Sequence, residues 1–80
     1  MEIKFITDPV ETRSGFWAVA YGHIPKENME DLYDSSGNIR KKYIEEIKFF
    51  KRKVNAEKYK TRISKDHWLN FKLHNTGQLN

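Results

Sequence analysis

Residues 39–64 read IRKKYIEEIKFFKRKVNAEKYKTRIS, and the architecture of the chain turns on how helix and strand divide within them. In the first part, Ile39, Tyr43, Ile47, Phe50 and Val54 are spaced four, four, three and four residues apart. At about 100° per residue they fall within one stripe, which predicts an amphipathic helix over 39–54. Ile44 and Phe49 flank that stripe. Lys41, Lys48 and Arg52 point away from it, with Arg40 and Lys51 on one shoulder. Glu45 and Glu46 stand one turn from Lys41 and Lys42 and are placed to pair with them. From Glu57 to Ser64 the period changes to two. Tyr59, Thr61 and Ile63 alternate with Lys58, Lys60 and Arg62, which predicts a strand with one basic face.

To the N-terminal side, the alternation around Ile3 and Phe5 predicts a short strand that Asp8-Pro9 ends. Val10 to Gly15 reads as a loop. Phe16 to Ile24 is aromatic and β-branched, as a buried strand is, and is expected to pair with the first strand as an antiparallel hairpin. Pro25 suits a helix start, and Met29, Leu32 and Tyr33 share one helical face. Gly37 supplies a left-handed residue that ends this helix, and Asn38 is placed to cap the next.

To the C-terminal side, Leu69, Phe71 and Leu73 alternate with Trp68, Asn70, Lys72 and His74. A hairpin turning at 65–67 would set Ile63 opposite Leu69 and gather Lys58, Lys60, Arg62, Lys72 and Trp68 on the other face. The competing reading is a helix from Lys65, capped by Ser64 and ended by Gly77. Residues 75–80 read as a frayed tail. The expected fold is one α+β domain over 1–80: a small antiparallel sheet in β-β-α-α-β-β order, with two helices packed on one face.

Composition narrows the function classes. The 80 residues hold no cysteine, so neither a disulfide nor a thiolate metal site exists in them. The hydrophobic fraction of 38% is too high for a disordered chain, although the mean hydropathy of −0.86 is polar. The longest apolar run, Phe16–Tyr21, falls far short of a membrane span of about 20 residues, and no signal-peptide core is visible. A cytoplasmic protein is expected, with no membrane partner.

Charge is unevenly spread. Residues 1–38 carry three Lys/Arg against seven Asp/Glu, whereas residues 39–65 carry eleven against three, within a total of +4. Such asymmetry points toward nucleic acid. Arg40, Lys41 and Lys42 would also sit in the first turn of the expected helix, where each positive charge opposes the macrodipole by about 0.3–1 kcal/mol. Local rules broken without local benefit tend to mark functional surfaces.

Signatures of catalysis are missing. The four glycines are scattered, the segment around Gly37 fails the calcium-loop spacing, and His23, His67 and His74 form no metal-binding pair. No enzyme activity, cofactor or metal is expected. The sequence reading is a small basic nucleic-acid-binding protein with RNA preferred. Arg40, Lys41, Lys48, Lys51, Arg52, Lys58, Lys60, Arg62 and Lys72 are the phosphate contacts, and Trp68, with Tyr43 or Tyr59, is the stacking surface. Neutralising about six phosphates would give a log–log salt slope near −5 on duplex. The alternative is an inhibitor or adaptor, of the kind large bacteriophages carry, that docks on an acidic protein or ribonucleoprotein. Sheet edges and small size also favour a homodimer.

Overall fold

The computed structural model describes residues 1–64 and 68–71. Its sheet has strands β1 (Glu2–Thr7), β2 (Val10–Glu11), β3 (Trp17–Pro25), β4 (Ile44–Phe50) and β5 (Leu69–Phe71), and one α-helix, α1 (Lys53–Ile63). Short 3-10 turns cover Lys26–Asp31 and Lys41–Tyr43. β1 and then β2 run antiparallel along one side of β3, β4 runs antiparallel along its other side, and β5 lies parallel to β1. The sheet is therefore mixed, and α1 carries the chain from β4 at one edge to β5 at the other.

The hairpin of β1 with β3 follows the sequence expectation, with Ile6 opposite Tyr21 and Ile3 opposite Ile24. The supposed loop after Pro9 rejoins the sheet briefly, with Val10 opposite Ala18. In the gap between β1 and β2, the buried Thr7 hydroxyl accepts the Ala20 N–H at 3.0 Å. A side chain thus replaces the ladder bond that the Asp8-Pro9 interruption removes.

Residues 39–64 differ from the sequence reading. The expected 39–54 helix is a 3-10 turn followed by β4, and the expected 57–64 strand lies inside α1. A bulge accounts for the first difference. Gly22 pairs with Ile44 and Tyr21 with Glu46, so Glu45 is extra. It returns Ile47 to the face that Ile44 occupies, three residues away, and this turns a two-residue period into the i, i+3 spacing of a helix. The second stretch satisfied both periods. Ala56, Tyr59 and Ile63 line one side of a helix, and the lysines around them are good helix formers. The expected order β-β-α-α-β-β with two helices on one face is accordingly replaced, among the described residues, by a mixed sheet with a single α-helix. The hairpin between 57–64 and 68–74 is absent: Leu69–Phe71 pairs with β1, which also removes the competing helix at those positions. The turn at 65–67, and Lys72, Leu73, His74 and the tail 75–80, lie outside the described residues.

Each sheet face is covered over part of its area. On one, α1 sets Ala56, Tyr59 and Ile63 against Ile6, Val19, Trp17, Tyr21, Phe50 and Trp68. On the other, residues 26–43 bring Met29, Leu32, Tyr33, Ile39 and Tyr43 onto Phe5 and Ile24. Gly37 adopts the left-handed conformation expected of it, with φ 84°, where the chain turns back. The Asp34 carboxylate accepts the main-chain N–H groups of Ser36 and Asn38 in that turn. The return brings the Tyr43 carbonyl against Gly22, where a Cβ would lie 1.9 Å from the carbonyl oxygen. Only glycine fits that approach. No helix among the described residues is long and apolar enough to cross a membrane.

Candidate nucleic-acid interface

The cations of the second half separate into two groups. Asp31 organises the first. Arg40 approaches it with Nε 3.0 Å from Oδ1, Lys42 with Nζ 3.2 Å from Oδ2, and the Tyr43 hydroxyl donates to Oδ2 at 2.8 Å. The hydrogen bonds from Tyr43 and Lys42 hold the Asp31 carboxyl below its ordinary value, and Lys42 is raised in return. Arg40 Nε also donates to the Asp31 carbonyl at 2.8 Å, so this side chain ties the covering segment together. Lys41 is exposed beside the knot.

Lys48 stands on the α1 side of β4, 2.8 Å from the Glu46 carboxylate, which also accepts the Tyr21 hydroxyl at 2.7 Å. The bonds from Lys48 and Tyr21 lower Glu46, and the same carboxylate, with burial, pushes the Tyr21 phenol up to about 12. Lys60 pairs with Asp8, whose Oδ1 also accepts the Asn70 amide at 2.9 Å. Three expected contacts, Arg40, Lys48 and Lys60, are thus engaged by carboxylates of the fold.

The second group is not. Lys51, Arg52, Lys58 and Arg62 are exposed and have no ion-pair partner among the described residues. Lys51 and Arg52 lie in the turn into α1; Lys58 and Arg62 stand one turn apart on its solvent side. Lys53 lies over the Trp17 ring at 5.3 Å and Arg62 over Tyr59 at 5.8 Å. The first turn of α1 holds no acidic residue, and its N-cap, Arg52, makes no capping bond through its side chain. The electrostatic conflict that the sequence suggests at 40–42 therefore occurs at 51–53, where the helix begins.

Between α1 and the end of β4 lies a cleft lined by Phe50, Asn55, Lys58, Tyr59 and Arg62. Phe50 and Tyr59 pack with ring centroids 5.2 Å apart. Lysine, arginine, an amide and two aromatic rings are thus gathered in one recess. The sequence reading assigns Phe50 to an apolar stripe and does not single out Lys53 or Asn55; the signal that finds Asn55 is the 53–63 helix, which brings Asn55, Lys58, Tyr59 and Arg62 to one side.

The other stacking candidates lie elsewhere. Trp68 is half-buried against Tyr21, 6.3 Å between centroids, with Lys4 over its ring at 5.7 Å. Tyr43 is in the core. His23 is exposed, 3.6 Å from Glu45 and 4.0 Å from Glu2. No group of acidic and histidine side chains among the described residues is placed to hold a metal. Comparison with protein-family models, curated proteins and solved structures gives no match, so the site is read from its own chemistry.

Proposed function

We propose that this protein binds nucleic acid, single-stranded RNA in preference to duplex, through the turn into α1 and the solvent side of that helix. The observation that carries the reading is the cleft in which Lys58 and Arg62 stand beside the Phe50 and Tyr59 rings. Cations beside π faces suit a strand whose bases are unpaired: the lysine and arginine neutralise phosphates while rings and guanidinium planes meet bases. A duplex presents its phosphates but not its base faces and uses only half of that surface. The principal contacts are Lys51, Arg52, Lys58 and Arg62, with Asn55 and Tyr59 beside them. The role is that of a cytoplasmic accessory protein without catalysis.

The test is fluorescence anisotropy with labelled 20-nucleotide RNA, the same sequence as DNA, and the matching duplexes, at low salt. The reading expects RNA single strands to bind at least about fivefold tighter than duplex, a gain of about 1 kcal/mol from one stacked base. Equal affinity for single strand and duplex would reduce the cleft to an electrostatic surface. No binding to any of them would end the proposal.

A further inference from the structure

Among the described residues β4 pairs with β3 alone, so its outer main-chain edge has no strand partner there. The side chains flanking that edge differ sharply between the two faces. On the α1 side stand Lys48 and, above it, Lys58 and Arg62 at the cleft. On the opposite side stand Ile47 and Phe49, and Phe49 is 54% exposed. Phe16, 38% exposed, lies two residues before Ala18, which is Phe49's partner on β3. Edge strands are ordinarily protected by bulges or outward charge. The bulge at Glu45 lies at the far end of β4 and leaves residues 46–50 in unbroken register with β3. Lys48 is drawn onto the sheet face by Glu46, and the side chain left most open is an apolar one.

We propose that the outer edge of β4, residues 46–50, is a docking site for an extended acidic peptide of a partner protein, added to the sheet as a further strand. Strand addition takes its affinity from main-chain hydrogen bonds and its specificity from alternate side chains. An incoming strand alternating acidic and apolar residues sets its carboxylates toward Lys58 and Arg62 and its apolar side chains toward Ile47 and Phe49. A second copy of this chain fits less well. A β4–β4 pair matches Ile47 and Phe49 across the dyad, but it brings the cationic sides of two α1 helices together. The edge is independent of the nucleic-acid reading in one respect: Phe49 faces away from the cleft, so it separates the two activities.

The probe is a synthetic ten-residue peptide alternating Glu with Val, against a control in which the same residues form one acidic and one apolar block. Binding is followed by amide NMR and hydrogen exchange on the intact chain. The alternating peptide is expected to bind about tenfold tighter than the block peptide and to slow exchange at the alternate main-chain amides of residues 46–50 that face away from β3. Phe49→Asp is expected to weaken the peptide about tenfold, the loss of one half-buried aromatic contact, while leaving RNA affinity unchanged. Equal binding of both peptides, or protection elsewhere than β4, overturns the proposal. So does sedimentation as a dimer through β4 without peptide, which gives the edge to a second copy. If Phe49→Asp binds the peptide as well as the parent does, the apolar flank plays no part and the proposal fails.

Discussion

The 26–48 region and the 51–62 region are both rich in Lys and Arg, yet the fold uses their charges differently. In the first, Arg40 and Lys42 converge on Asp31 and Lys48 on Glu46, so positive charge ties the covering segment to itself and a β4 lysine to its own strand. In the second, Lys51, Arg52, Lys58 and Arg62 face solvent without a carboxylate partner among the described residues, and two of them share a cleft with aromatic rings. A count of basic residues therefore overstates a binding surface. What matters is which cations the fold has already neutralised, and that depends on which carboxylates the chain folds back beside them.

The largest effect is expected where the first region is fastened to the sheet. Gly22→Val drives a side chain into the Tyr43 carbonyl, a main-chain atom that cannot swing away. It should cost about 3 kcal/mol or more and leave little folded protein by circular dichroism. Retained folding would mean that residues 40–43 are not held against β3 as described.

Next comes the solvent side of α1. Lys58→Glu with Arg62→Glu should lower RNA affinity about a hundredfold, since two phosphate contacts become two repulsions. The melting temperature should hardly move, because both side chains are exposed. A parallel fall in stability would assign these cations to the fold instead. The converse applies to Arg40→Ala with Lys42→Ala. That pair should lower the melting temperature, while RNA affinity stays within about threefold. It should also abolish part of the acid sensitivity. Asp31 is held below its ordinary value, so it contributes stability that is full above about pH 4 and is lost as pH falls further.

The smallest expected effect is a single tyrosine's titration. Tyr21 should ionise near 12, and Glu46→Gln should return it toward 10, as read by phenolate absorbance. Because the folded value is raised, the stability from this bond is present below about pH 10 and lost as pH rises through about 12. A normal titration in the parent would place the Glu46 carboxylate away from the Tyr21 hydroxyl.

The legible and illegible parts of the sequence divide on physical lines. The β1–β3 hairpin was readable because Ile3, Phe5 and the run from Trp17 to Ile24 carry strand composition, bounded by Asp8-Pro9 and Pro25. Gly37 was readable because a left-handed turn needs it. Residues 39–64 mislead because the Glu45 bulge disguises a strand as a helix. The neighbouring helix also happens to alternate lysine with apolar residues. The fold class was visible at the level of α+β, but the parallel β1–β5 pairing was not, since no local pattern encodes a partner more than sixty residues away. Of the expected contacts, Lys51, Arg52, Lys58 and Arg62 come together around α1. Arg40 and Lys60 are drawn off by Asp31 and Asp8, 9 and 52 residues away in sequence, and Lys48 by Glu46, two residues away, which shares its face in a strand but not in the expected helix.

On the proposed reading, phosphates meet the four cations at the start and on the solvent side of α1, and not the whole basic half. The most direct test is the salt dependence of RNA binding, measured by anisotropy with a single-stranded 20-mer between 25 and 200 mM NaCl, values chosen to span about a decade of ionic strength. Four neutralised phosphates predict a log–log slope of about −3 on a single strand, and about −3.6 on duplex. That is shallower than the value near −5 on duplex that the sequence alone suggests. A slope steeper than about −5 on the single strand would show that the paired lysines and arginines also release counterions. A slope near zero would show that phosphates are not what this surface binds.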